Sequence, residues 1–172
     1  MRQGRRDGFR EFATGRSGHL YRSACLLTSG DTHLAEDLVQ ETLGRMYLVW
    51  GRISRIDNPS AYAQTVLVRA FLTHQRRRSA GERPVGEFPE PGAAAAGGDA
   101  DPALRLTLLE ALGRLAPKDR AVLVLRYWED RSVEETADAM NSSSAAVRTR
   151  TTRALARLRD QLGGSPAEFA EP

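Results

Sequence analysis

Arginine carries most of the chemistry open to this sequence. The stretch "SSSAAVRTRTTRALARLRDQL" places arginines at 148, 150, 153, 157 and 159 against a single acid, Asp160. A second cluster, Arg69, Arg76, Arg77 and Arg78, shares its segment with Tyr62, Phe71 and His74. A guanidinium fork binds phosphate in bidentate fashion and also reads guanine edges. Basic residues interleaved with aromatics suit unpaired nucleic acid, because rings stack on bases while cations hold the backbone. Of the 25 basic residues only Lys118 is lysine. GC-rich coding favours that bias as well, so composition alone does not separate the two causes. Charge of the opposite sign is also segregated: between Ser23 and Gly44 every charge is acidic, at Asp31, Glu36, Asp37 and Glu41. Such a run fits either the solvated face of an amphipathic helix or a surface that docks a basic protein.

Other chemistries find no support. His19, His33 and His74 lie far apart, and Cys25 is the one cysteine, so neither a metal site nor an internal disulfide is expected. Cys25 sits in the apolar string "SACLL", where a buried thiol is expected. There is no glycine-rich phosphate loop, nucleophile elbow or pair of carboxylates. The expectation is a binding protein with no catalysis and no cofactor. The basic start "MRQGRRDGFREF" is followed by no apolar run, unlike a signal peptide. Nor does any stretch reach the roughly 18 apolar residues that span a bilayer. A cytoplasmic protein without membrane insertion is expected.

The elements that must position these residues are helical. Strand signals, namely β-branched or aromatic runs with period two, are absent, whereas helical spacing recurs. Leu34, Leu38, Thr42, Met46 and Val49 form a stripe, started by Asp31 or Thr32 as N-cap. A second helix follows Asn58-Pro59-Ser60 and runs through the triple arginine. Pro102 starts a helix through Leu115, and Pro117 starts another through "KDRAVLVLRYWED". Ser132 and Glu135 have the spacing of a capping box, opening a short helix with Val133, Thr136, Ala137 and Met140 inward. After the "NSSS" break, Ser143 caps a last helix with Val147, Thr151, Ala154, Leu155, Leu158 and Leu162 on one face. Two helices around a tight turn, the second basic, make a helix-turn-helix pattern, whose second helix enters the major groove.

Residues 79–102 hold four of the eight prolines, and from Pro84 to Ala103 their charges are all acidic. A loop of this length inside one compact domain is unusual. The expected organisation is therefore all-α, with two small helical domains at 9–78 and 103–162 joined by a flexible acidic linker at 79–102. A flexible N-terminus, 1–8, and a disordered tail, 163–172, complete it.

The chain resembles bacterial RNA polymerase sigma factors of the extracytoplasmic-function group, over both predicted domains. "AEDLVQETLGRMY" is similar to that family's region 2.2, matching its A-E-D-L-V-Q-E-T core at eight consecutive positions. "LLEALGRLAPKDRAVLVLRYWED" and the residues after it resemble region 4. The L-P-x-x-x-R helix start appears as Leu115-Ala116-Pro117-Lys118-Asp119-Arg120, with Ala116 at the position of the motif's proline, and R-A-L-x-x-L-R is complete at Arg153 to Arg159. The resemblance implies that Asp37, Leu38, Gln40 and Glu41 dock on the clamp helices of the polymerase largest subunit. It implies that Gly51 to Tyr62 capture a flipped base of the minus 10 element, with Tyr62, Arg69, Arg76, Arg77 and Arg78 contacting that DNA. It implies that Ser143, Arg148, Thr149, Thr152 and Arg153 meet the minus 35 element, with the polymerase flap and an anti-sigma protein as further partners. Two stretches depart from the family. Arg69 stands where asparagine is usual, and the turn reads Asn141-Ser142-Ser143-Ser144-Ala145-Ala146-Val147 in place of G-x-S-x-G-T-V.

A sigma factor, which directs core polymerase to promoters and helps melt DNA, is the leading expectation. The alternatives are a helix-turn-helix regulator that binds duplex DNA without polymerase, and a sigma-like decoy that binds polymerase without promoters. The "EDLVQET" run joined to an aromatic-basic helix is what a simple regulator does not need.

Overall fold

A computed structural model of the chain describes residues 2–81 and 101–163. Among them lie seven α-helices and one π-helical turn, with no strand, as the hydrophobic spacing predicts. The chain divides into two compact units. The first packs α1 (Arg2–Leu27), α2 (Thr32–Ile53) and α3 (Pro59–Gly81) against one another. Its core includes Leu20, Ala24 and Leu27 of α1, Leu38, Thr42, Met46 and Trp50 of α2, and Leu67, Val68 and Phe71 of α3. Phe71 is fully buried, so it belongs to packing and not to a ligand. Cys25 is a buried free thiol.

Local chemistry sets each boundary in this unit. Asp31 caps α2 by accepting from the Leu34 N–H at 3.1 Å. Asn58 does the same for α3, its Oδ1 accepting from Ala61 N–H at 2.9 Å. At the end of α1, Gly30 N–H donates to Cys25 C=O at 2.8 Å and Ser29 N–H to Leu26 C=O at 3.4 Å. That pair of bonds is a Schellman closure, with Ser29 in the left-handed region at φ 54°. The buried stripe of α2 is Ala35, Leu38, Val39, Thr42, Met46, Trp50 and Ile53. The predicted end members Leu34 and Val49 are only half-buried, because the two neighbouring helices widen the covered face toward Ala35 and Trp50.

The first residues correct an expectation. Residues 2–8 are not a flexible lead-in but the first two turns of α1. Phe9 meets Tyr47 and Trp50 edge-on at 5.2 and 5.5 Å, and Phe12 meets Trp50 at 4.9 Å. Arg5 donates to the Tyr47 and Leu48 carbonyls at 3.5 and 3.2 Å and lies against Gly51. Aromatic contacts of this kind add about 0.5–1.5 kcal/mol each beyond burial, enough to hold a helix end in place. At the other boundary α3 runs to Gly81, three residues past the predicted 78.

The second unit contains α4 (Pro102–Gly113), α5 (Pro117–Leu123), the π-helical turn Val124–Trp128, α6 (Val133–Ala139) and α7 (Ser144–Gln161). Asp101 caps α4 through Ala103 N–H at 3.0 Å, with Pro102 in the first turn. Pro117 opens α5 as predicted. The long helix expected after it instead widens at Val124, where Glu129 N–H bonds back five residues to the Val124 carbonyl at 2.9 Å. Asp130 then turns into the left-handed region at φ 51° and the chain reverses. Arg120, 7 % exposed, reaches back to the Leu115 carbonyl at 3.2 Å, and burial pulls its pKa down to about 10. It still carries its charge at neutral pH. Residues 82–100 of the predicted linker and 164–172 of the predicted tail lie outside the described residues.

Candidate nucleic-acid interface

The helix-turn-helix of the second unit is assembled by three backbone devices. Ser132 Oγ accepts from Glu135 N–H at 3.0 Å while Glu135 Oε2 accepts from Ser132 N–H at 2.8 Å, completing the predicted capping box. That backbone N–H, with the Ser132 hydroxyl, holds the Glu135 carboxyl below the usual carboxylate range. At the far end of α6, Ser142 N–H donates to Ala137 C=O at 2.9 Å and Asn141 N–H to Asp138 C=O at 3.3 Å. This is again a Schellman closure, with Asn141 at φ 51° in the place that glycine usually fills. Asparagine tolerates that region better than other non-glycine residues, so the turn keeps its geometry without either family glycine. Ser143 then caps α7, accepting from Ala146 N–H at 3.1 Å. Beneath the turn Val122, Ala137 and Val147 form one buried cluster, flanked by Val133 and Met140.

That core buries Val147, Thr151 and Ala154 and leaves Arg148, Thr149, Thr152 and Arg153 exposed together at the start of α7. Four of the five predicted contact residues of this helix therefore share one open face. The fifth, Ser143, has its oxygen occupied as the cap, which leaves its hydroxyl proton to donate. The surrounding acids are what spacing along α7 did not reveal. Arg148 pairs with Glu134 of α6 at 3.3 Å, both largely exposed. Arg150 and Arg157 pair with the two oxygens of Asp119 of α5, at 2.7 and 3.0 Å. An open groove of about 530 Å³ runs alongside, lined by Asp119, Thr149, Arg150, Arg153 and Arg157 with Ala116, Ala145 and Ala146.

In the first unit Tyr62, Arg69 and Arg76 recur every seven residues, which at about 100° per residue keeps them on one line of α3. Arg69, Arg76, Arg77 and Arg78 are exposed and Tyr62 is half-buried. Arg76 donates to Thr73 Oγ1 at 3.3 Å. Arg77 flanks the line, whereas Arg78 is turned about 160° from Tyr62 by the same arithmetic and falls on another side. The triple arginine is thus not one patch.

On α2, Asp37, Gln40 and Glu41 are exposed, and Glu41 takes an i,i+4 ion pair from Arg45 at 2.5 Å. Leu38 is 2 % exposed. As a direct contact it is corrected: its side chain fills the three-helix core and can serve an interface only by holding its neighbours in place. Leu48, 75 % exposed, extends the outer face that Gln40 and Gly44 begin at i,i+4 spacing. Its place on that spacing was the signal that identifies it.

Comparison with known proteins finds relatives across both units. The family model for Sigma-70 region 2 matches residues 16–81, and that for Sigma-70, region 4 matches residues 105–158. The chain is 40% identical over 155 residues to an RNA polymerase sigma-E factor of Streptomyces coelicolor, covering 90% of this chain and 85% of that one. It is 36% identical to RNA polymerase sigma factor CarQ of Myxococcus xanthus, over 80% of this chain and 79% of that protein. Among solved structures, the sigma factor RpoE of Bartonella quintana, in complex with the anti-sigma factor NepR, has a similar fold. Its TM-score is 0.70 at 24% identity, covering 91% of this chain and 97% of that one. CnrH in complex with the cytosolic domain of CnrY gives a TM-score of 0.61 at 20% identity, covering 93% and 90%. Matches that run through both units do not favour a duplex-binding regulator or a decoy. The chain belongs to the RNA polymerase sigma factors of the extracytoplasmic-function group.

Proposed function

We propose a division of labour for this sigma factor in which each exposed face meets one partner. The outer face of α2, with Asp37, Gln40, Glu41 and the exposed Leu48, docks on the clamp helices of core polymerase. The line of Tyr62, Arg69 and Arg76, with Arg77 at its flank and Arg78 reaching from another side, holds the minus 10 DNA as it separates. The open start of α7, with Ser143, Arg148, Thr149, Thr152 and Arg153, enters the major groove of the minus 35 element. The segment between the units, 84–100, carries only acidic charges and is the candidate contact for the polymerase flap. The chain performs no catalysis itself and works in the cytoplasm; no described helix is long and apolar enough to cross a membrane.

The observation that carries this reading is a single chain with two exposed surfaces of opposite sign, an acidic face on α2 and a basic face on α7. Glu41→Lys and Gln40→Ala, introduced together, test the first contact. Affinity for core polymerase is expected to fall at least about tenfold, the effect of a lost charge-matched contact plus a like-charge repulsion. Unchanged binding would place the polymerase contact elsewhere. An anti-sigma protein is a further expected partner, supported by the two fold neighbours, each solved with a partner of its own. Affinity capture from the source cells under resting conditions should yield it, and recovery of polymerase subunits alone would count against it.

A further inference from the structure

Five arginines line α7, but they are not equivalent. Asp119 is 5 % exposed, and its carboxylate is divided between two of them, Oδ1 facing Arg150 and Oδ2 facing Arg157. Seven residues separate those arginines, so they sit two turns apart on the same side of α7 and close on the acid from both directions. Arg153 lies between them in sequence yet is rotated about 60° from Arg150 toward the open face. It meets no acid among the described residues.

Removing the cations from a carboxylate this buried leaves an uncompensated charge, which is far more costly than breaking an exposed pair. A phosphate that recruited Arg150 and Arg157 would bear that cost and would also bring a second anion beside Asp119. The pair with Glu134 is different. Both of its members are exposed, so Arg148 is released cheaply.

We infer that Asp119 is a positioning residue for DNA specificity: it withholds Arg150 and Arg157 from the phosphate backbone and leaves recognition to Arg148, Thr149, Thr152 and Arg153. The inference rests on the reading that α7 meets duplex DNA. Its consequence is selectivity. Phosphate contacts raise affinity for every sequence equally, whereas contacts to base edges discriminate. A helix that kept all five guanidinium groups available would hold non-promoter DNA too well.

The test uses the full chain with core polymerase, on a promoter fragment recovered by start-site mapping and on the same fragment with its upstream element scrambled. Affinity is measured across a potassium chloride titration. Asp119→Asn should steepen the dependence of log affinity on log salt by about one to two, as one or two more phosphates are neutralised. The ratio of promoter to scrambled affinity should fall about fivefold or more, and Asp119→Glu should restore both. Arg157→Gln, which does not depend on Asp119→Asn folding, should leave the salt slope unchanged. A slope lowered by about one in Arg157→Gln would mean that Arg157 already holds phosphate, and would overturn the inference. So would unchanged slope and ratio in a folded Asp119→Asn chain. Arg153→Gln keeps the two ideas apart: if it leaves the ratio of promoter to scrambled affinity unchanged, α7 does not meet DNA and the underlying reading fails.

Discussion

Helices α3 and α7 are both rich in arginine, but their surroundings treat the charge differently. On α7 three of the five arginines are met by carboxylates from α5 and α6, and two of them share a buried one. On α3 the exposed Arg76 has the neutral hydroxyl of Thr73, on its own helix, as a partner. The first arrangement fixes side chains before a ligand arrives. The second leaves the long side chains of Arg76 and Arg77 to adapt to whatever anion they meet, at the entropic cost of ordering them then. Duplex DNA is discriminated by contacts to its base edges, so withholding two phosphate-seeking cations suits it. A separated strand is irregular, and adaptable cations beside a stacking ring suit it better. Arginine count along a helix therefore overstates the charge offered to a ligand wherever a neighbouring helix brings an acid.

The largest effect is expected on the α3 side. Replacing Arg76, Arg77 and Arg78 together by glutamine should weaken promoter binding about thirtyfold near 0.15 M salt. The salt slope should fall by about two, from roughly 0.7 per phosphate contact on single strands. A potassium chloride titration of the polymerase complex checks both. Because Arg78 points away from the other two, the single Arg78→Gln chain should account for the least of the loss. Equal losses from all three single variants would break the contrast between an ordered line and a scattered cluster.

Smaller effects sharpen the α7 side, where placement of the helix matters more than its charge. Ser132→Ala removes one half of the capping box and is expected to cost about 1 kcal/mol in denaturant unfolding. That cost depends on pH. The Glu135 carboxyl is held below its ordinary pKa by the Ser132 N–H and hydroxyl, so its contribution is present above the unfolded-state value. The contribution is lost as pH falls through the lowered folded value, and the difference between the two proteins should narrow in acid. A gap that stayed constant down to full protonation would remove Glu135 from the account. Smallest of all, Asn141→Gly should raise stability by up to about 1 kcal/mol, since glycine meets no steric cost at positive φ. DNA discrimination should be unaltered, because the turn keeps its shape.

How far these features were legible in sequence depends on the range of the interaction behind them. The capping box at Ser132, the Ser143 cap, Pro102 and Pro117 at helix starts and the Asn58 turn all follow from residues within four positions of one another, and each stands where its spacing predicts. The left-handed Asn141 is also a local event. Yet its role emerges only once the two backbone bonds that close α6 are seen, since the turn lacks the glycine that advertises such a bend. What sequence spacing misses is mostly tertiary. The helical start of α1 depends on Phe9, Phe12 and Arg5 finding α2 more than thirty residues away. Leu38 carries the family motif but faces inward, because a motif mixes residues that touch a partner with residues that hold them in place. The Asp119 clamp spans 31 and 38 residues, beyond any i,i+4 inspection of α7. The widening of the helix at Val124 has no proline, glycine or other local mark that we can connect to it.

The central claim is that this chain tells core polymerase where to begin, and in vitro transcription tests it most directly. Purified chain and core polymerase would be supplied with genomic DNA fragments, and RNA 5′ ends mapped with and without the chain. The account predicts new, discrete start sites that appear only with the chain and share two upstream sequence elements. Start sites unchanged by the chain, at concentrations where it is bound to core, would contradict it.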